Sequence, residues 1–180
     1  MINIPALVRI AEPASEPLTL AETKDYLRTN VTDDDTLLTN LIIAVRKAAE
    51  EHLQGALITQ SWKLAYDKYT PASITLPMAP VQSVTSVTVI ARDASQSVLS
   101  SSSYYLSAGN RRLIFDASPL SHRVEIVYVA GYGDSASDVP SPVRYGMLAH
   151  IAAIYDGRAG QNSLPKQSVE FYAPYRGVRV

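Results

Sequence analysis

Three carboxylates stand side by side at Asp33, Asp34 and Asp35. Two carboxylates facing one substrate can divide acid and base roles between them. Three consecutive residues instead project in different directions, and these precede an apolar run of helical period. The run therefore reads as a helix start, where carboxylates meet the positive end of the helix dipole. His52, His122 and His150 are far apart in the chain. An imidazole pair from His52 and His150 would suit a metal, but no Asp or Glu lies one helical turn from His150 and no H-E-x-x-H pattern occurs. They read as buried or boundary histidines. Ser100 to Ser103 offer hydroxyls without the G-x-S-x-G elbow that makes a serine nucleophilic. Gly131-Tyr132-Gly133 lacks the third glycine of a dinucleotide loop and the Gly-Lys-Ser/Thr of a P-loop; it reads as a hinge. Arg111-Arg112 beside Tyr104 and Tyr105 has the residue types of a single-strand nucleic-acid face, yet also those of a hairpin's solvent side. The chain has no cysteine, which removes disulfides, thiolate metal sites and thiol nucleophiles. No catalytic, metal-binding or cofactor-binding residue is assigned, and no cofactor is expected.

The aromatic composition points elsewhere. Eleven tyrosines stand beside two Phe and one Trp, and tyrosine, apolar in body and polar at the tip, is favoured at protein–protein interfaces. Charged residues make up 18% of the chain, below the usual ~25%, as expected if neighbours cover part of the surface. The net charge of −1 gives no basic field for nucleic acid. Residues 1–59 carry five positive and nine negative groups, whereas 60–129 carry six and four. Such an imbalance suits pairing between subunits as well as ordinary solvated faces. No apolar run approaches the ~18 residues of a membrane span, and Met1 to Ile10 lacks a secretion-signal pattern.

The elements that carry these residues follow from period and punctuation. Residues 1–17, with Pro5, Pro13 and Pro17, read as an extended N-terminal arm. Thr19-Leu20-Ala21-Glu22 is a capping box opening a short helix to about Arg28. A longer helix follows Asp35, with Leu37, Leu38, Leu41, Ile42, Val45, Ala49 and Leu53 on one stripe, Arg46, Lys47, Glu50 and Glu51 on the other side, and Gly55 as its stop. From Ile58 the period changes to two. Strands are expected at Gln60–Tyr66, Ser73–Leu76, Val81–Ile90, Val98–Leu99, Tyr104–Leu106, Leu113–Phe115 and Arg123–Val129, with Trp62, Leu64 and Tyr66 facing a core. A last helix starts near Ser141-Pro142 and ends at Gly157.

The fold class is therefore α+β: a small helical bundle (18–57 and 140–157) with an inserted antiparallel β-region (58–133) and an extended C-terminal tail (158–180). Helices from both ends must pack together, since neither buries its stripe alone. The tail has no long regular element, but holds Phe171, Tyr172, Tyr175 and Arg176. Aromatic residues and arginine are the usual anchors of an interface, so these four are the expected contacts with a partner.

Seven stretches, taken together in order, resemble one family. They are Pro17-Leu18-Thr19-Leu20-Ala21-Glu22 continuing to Arg28; Asp33-Asp34-Asp35-Thr36-Leu37-Leu38 with Leu41-Ile42; Gly55-Ala56-Leu57-Ile58-Thr59-Gln60-Ser61-Trp62; Leu76-Pro77-Met78-Ala79-Pro80-Val81-Gln82-Ser83-Val84; Val127-Tyr128-Val129-Ala130-Gly131-Tyr132-Gly133; Val139-Pro140-Ser141-Pro142-Val143-Arg144; and Ala173-Pro174-Tyr175-Arg176. Together they resemble the head–tail connector, or adaptor, proteins of tailed phages and gene transfer agents. Ala56 stands where that family often has arginine. The resemblance implies a structural virion component and not an enzyme: a self-assembled, dodecameric ring between portal protein and tail. Its C-terminal segment would reach the portal or a neighbouring subunit through Phe171, Tyr172, Tyr175 and Arg176. A tail-completion or stopper protein would sit on the other side, and DNA would pass through the channel without sequence-specific binding. No membrane is involved. An enzyme of unknown class and a stand-alone nucleic-acid-binding module are the alternatives; the first needs convergent polar groups and the second a basic surface.

Overall fold

The computed structural model describes residues 5–67, 71–107, 109, 111–117, 123–157 and 164–176. Their order is strand β1 (Ala6–Ala11), helices α1 (Leu20–Leu27) and α2 (Asp35–Leu53), strands β2 (Gln60–Tyr66), β3 (Ser73–Thr75), β4 (Val81–Ile90), β5 (Gln96–Val98), β6 (Tyr104–Leu106), β7 (Arg112–Phe115) and β8 (Arg123–Ala130), then helices α3 (Ser141–Tyr155) and α4 (Lys166–Tyr172). They fall into two compact units. One comprises Met1–Glu12 with Thr59–Gly131, the other Pro13–Ile58 with Tyr132–Val180.

The helical unit is built on α2. Leu38, Ile42, Val45, Ala49 and Leu53 recur in steps of three and four and are all buried. They close a core with Leu18, Leu57, Ile58, Val139, Val143, Met147, Leu148, Ile151 and Tyr172. Each fully buried Leu or Ile contributes roughly 1.5–3 kcal/mol. Leu37, expected on the stripe, is 49% exposed, because it lies one residue off the buried row. The helix ends at Leu53 and its cap falls one residue before Gly55: Gln54 takes the left-handed conformation at φ 54°. Gly157, with φ 68°, follows α3 as expected.

Two caps differ from expectation. Thr19 does accept from the Glu22 N–H at 3.1 Å, but the Glu22 carboxylate turns away to Arg144. Ser141 is inside α3 and Pro140 occupies the cap, with no side-chain cap bond. The reciprocal box lies upstream, between Ser135 and Asp138 around a 3-10 turn at Ala136–Asp138.

The β unit holds a five-stranded sheet in the order β1-β2-β8-β4-β5 and a three-stranded sheet in the order β3-β7-β6. Alternation is clearest in β8, where Val124, Ile126, Tyr128 and Ala130 are fully buried and the residues between them are half-buried. Trp62 and Leu64 are buried opposite Tyr128 and Ile126, whereas Tyr66 is only half-buried at the strand's end. Tyr128 Oη donates to the Pro77 carbonyl at 2.6 Å, which satisfies its polar tip inside the core.

Both chain ends depart from the expected arm and tail. Ala6–Ala11 is a paired strand: Ala6 opposes Ala65, Leu7 opposes Leu64 and Arg9 opposes Trp62. The apolar, β-branched Leu-Val-Arg-Ile run suits a ladder, and the Arg9 guanidinium lies 4.7 Å over the Trp62 ring. Pro5 and Pro13 bracket it, in keeping with proline's exclusion from strand interiors. At the other end, residues 164–176 include helix α4 and a 3-10 turn at Ala173–Tyr175, because Tyr172 has a place in the core. Residues 158–163 and 177–180 of the expected tail, with His122, Ser118-Pro119 and Asn110, lie outside the described residues.

Candidate assembly surface of the helical unit

Helix α4 packs along α3, and one glycine permits the fit. A Cβ built on Gly146 would fall 2.5 Å from Cε1 of the Tyr172 ring. The bare backbone there lets the ring approach α3 closely. Tyr172 is fully buried, its hydroxyl has no hydrogen-bond partner, and burial raises its pKa above the ordinary tyrosine value. Its ring stands 5.8 Å from that of His52, tilted by 44°. Phe171, the residue before Tyr172, turns outward and stacks on Tyr145 at 6.4 Å with 29° between planes. Tyr145 is 54% exposed.

An open cleft beside Tyr145 is lined by Glu22, Tyr26, Ser141, Arg144 and Leu148. A fork of contacts holds it. Arg144 Nη2 donates to both oxygens of Glu22, at 2.6 and 2.7 Å, and Arg144 Nε donates to the Pro17 carbonyl at 3.0 Å. The pair ties α1 to α3 and fixes the chain entering α1. Tyr26 and Tyr145 remain exposed. Apolar rings around a fixed charge pair are the chemistry of a docking surface.

The acidic run serves as tethers. Asp34 Oδ2 accepts from Tyr155 Oη at 2.6 Å and Asp35 Oδ1 from Lys24 Nζ at 2.6 Å. No side-chain cap bond forms at Asp34, so the expected capping role becomes attachment of α2 to its neighbours. Arg46 and Glu50, expected on the solvent side of α2, are instead buried at 2% and 1% exposure. Arg46 Nη1 donates to Glu50 at 3.1 Å and its Nε to Glu16 at 2.8 Å. Glu50 Oε1 also accepts from the Leu57 N–H at 3.1 Å, which secures the turn after α2.

Of the four expected interface residues, Phe171 and Tyr175 are half-buried, Arg176 is exposed and Tyr172 is enclosed. Tyr172 is thus occupied by the chain's own core. His150 is buried, its Nδ1 unpartnered, and burial lowers its pKa. The His52 pKa is lowered by burial and then by Arg176 nearby. Among the described residues, no three His, Asp or Glu side chains form a group that could hold a metal ion, and no helix is long and apolar enough to cross a membrane. Arg112 is exposed on β7 and Arg111 half-buried before it; Tyr104 packs edge-on against Phe115 and Tyr105 is exposed. Sequence reasoning missed Arg144, Glu22 and Gly146. Glu22 was marked only as a capping-box member and within a resemblance stretch, Arg144 only by its resemblance stretch, and nothing marked the glycine.

No curated protein matches the chain's sequence. Solved structures do. The chain is similar over 97% of its length to a protein of the virion of a native gene transfer agent (GTA) particle, at 26% identity and TM-score 0.77, covering 96% of that chain. It is equally similar to chains from the neck of an empty GTA particle computed with six-fold cyclic symmetry (27% identity, TM-score 0.78) and from the neck of a native GTA particle computed with twelve-fold symmetry (26%, TM-score 0.74). Each comparison covers 97% of both chains. A family model described as head completion protein matches residues 16–141. That span runs from the Glu16 that meets Arg46, through strands β2 to β8, to the start of α3, and on this ground the chain belongs to the head completion protein family.

Proposed function

We propose that this protein is a structural connector of a phage-like particle, one subunit of a cyclic ring in the neck that joins the DNA-filled head to the tail. The observation that carries this reading is whole-length similarity to GTA neck chains resolved with six- and twelve-fold symmetry, within a family described as head completion protein. Its place is the virion. On one side it meets the portal protein, on the other a tail-completion or stopper protein, and DNA crosses its channel without base recognition. The role is mechanical and not enzymatic: the carboxylates and guanidiniums of the helical unit form tethers between helices.

The docking contacts to the portal or to a neighbouring subunit come from Phe171, Tyr175 and Arg176, with Tyr145 extending the aromatic patch through its stack on Phe171. Tyr172 supports them from beneath. The test is complementation in cells that produce the particle. Without this protein, filled heads should accumulate without tails, and the wild-type chain should restore them. A combined Phe171→Ala and Arg176→Ala variant should keep its helical circular dichroism and fail to restore tails. Normal tails without the protein would overturn the connector role. Normal tails with the double variant would remove these residues from the docking site.

A further inference from the structure

The five-stranded sheet has two open edges. At one, β1 presents Leu7, Val8 and Ile10, exposed by 36%, 49% and 50%. At the other, all three residues of β5 are exposed, Val98 by 69%. Exposed edge strands are templates for another chain, and proteins that avoid such pairing guard them with lysine, proline or inward charges. Neither edge carries a lysine. Arg9, the one charge on β1, is folded over Trp62 and paired with Glu12 at 2.8 Å. The guards present are the flanking Pro5 and Pro13, the shortness of β5 and a bulge between Arg9 and Ala11, which together still leave Ala6–Arg9 as a regular four-residue edge. β5, at three residues, is one residue shorter and is uncharged.

Strand direction selects the pairing. β1, β2, β8, β4 and β5 are joined by four antiparallel ladders, so β1 and β5 run the same way at opposite edges. A two-fold pairing of β1 with β1 would be antiparallel and would close a dimer. A cyclic ring instead needs a head-to-tail contact between two different surfaces. The two edges of one sheet supply such surfaces. We propose that β5 of one copy pairs in parallel with β1 of the next, so that the sheet continues from subunit to subunit and forms part of the ring contact. This rests on the connector reading, since only a cyclic assembly calls for a head-to-tail junction.

The chain has no cysteine, so engineered pairs give a clean readout. In assembled particles, Val8→Cys combined with Ser97→Cys or with Val98→Cys should cross-link under oxidation into a ladder of dimers, trimers and longer chains. Each single variant should stay monomeric on a denaturing gel. A dimer from Val8→Cys alone would overturn the proposal in favour of two-fold pairing. A second variant, Val8→Lys with Val98→Lys, places a guard charge on each edge. It should fold with the wild-type melting temperature and lower tailed-particle yield by about tenfold or more. Wild-type yield from it, where the wild-type chain complements, would overturn edge pairing and leave the connector role standing. Failure of the wild-type chain itself to complement would overturn the connector role, and this inference with it.

Discussion

Glu22 and Tyr172 show how one side chain's partner decides the role that its neighbours suggest. Glu22 stands where a capping box would use it, but Arg144 Nη2 meets both carboxylate oxygens with charge-assisted contacts where the capping N–H would meet one. Tyr172 stands in a segment with interface composition, yet Gly146 opens a slot for its ring. Gly146→Ala should therefore destabilise the helical unit by about 1–3 kcal/mol, the usual cost of overpacking. Tyr172→Phe removes a buried hydroxyl that has no partner and should cost no more than about 0.5 kcal/mol, since nothing paired is lost. Urea unfolding of both variants measures the contrast; a larger loss for Tyr172→Phe than for Gly146→Ala would contradict the slot. His150 gives a pH signature. Burial holds its imidazole below the ordinary value of 6.5, so the unfolded chain takes up the proton first as pH falls. The neutral folded form is fully favoured above pH 6.5, and its contribution declines as pH drops below that value. Melting temperature should fall between pH 7 and pH 5, and His150→Asn should flatten that slope, leaving the part due to His52. An unchanged slope in His150→Asn would show that His150 titrates alike in both states.

At the scale of elements, α2 carries a buried ion pair that its sequence pattern places on the wrong side. Arg46 and Glu50 are four residues apart, as any solvent-side pair would be; what buries them is Glu16 arriving from the loop before α1 and the Leu57 N–H arriving from the turn after α2. Breaking a buried pair leaves a stranded charge and costs about 3–5 kcal/mol. Glu50→Ala should lose that much in denaturant unfolding, while Glu51→Ala on the exposed face should change stability by no more than about 0.5 kcal/mol; similar effects from the two would mean that Glu50 is solvated. The same contrast explains what could be read in advance. Alternation around Trp62 and Leu64, Val and Thr richness in β4 and turn signals between the rest yielded the seven later strands to within two residues. The row Leu38, Ile42, Val45, Ala49, Leu53 gave the main helix by its steps of three and four. β1 was not legible, since Leu7 to Ile10 has no alternation and its ladder partner lies more than fifty residues away. α4 was not legible either, because a helix this short is held by tertiary packing, here by Gly146 and Tyr172. Of the assembly surface, the aromatic residues showed in composition. The Glu22–Arg144 fork and the enclosure of Tyr172 depend on contacts between distant segments.

For the whole molecule, the division into two compact units carries a thermodynamic expectation. The helical unit closes a core around Leu38, Ile42, Met147 and Tyr172, and the β unit buries Leu64, Val87, Ile126 and Tyr128. A core that closes within one contiguous set of contacts can open as a cooperative unit without the other. The sequence supplies a selective probe, because its single tryptophan, Trp62, lies in the β unit and α1 through α4 all lie in the helical unit. Tryptophan fluorescence thus follows one unit, and circular dichroism at helical wavelengths follows mainly the other. Leu38→Ala and Ile126→Ala each remove a fully buried branched side chain and should each cost about 2–5 kcal/mol. Leu38→Ala should lower the dichroism midpoint in urea and leave the fluorescence midpoint near wild type; Ile126→Ala should do the reverse. If both probes shift together in both variants, the molecule unfolds as one cooperative body. The two cores would then be energetically coupled, and a load applied to one in the assembled neck would be felt by the other.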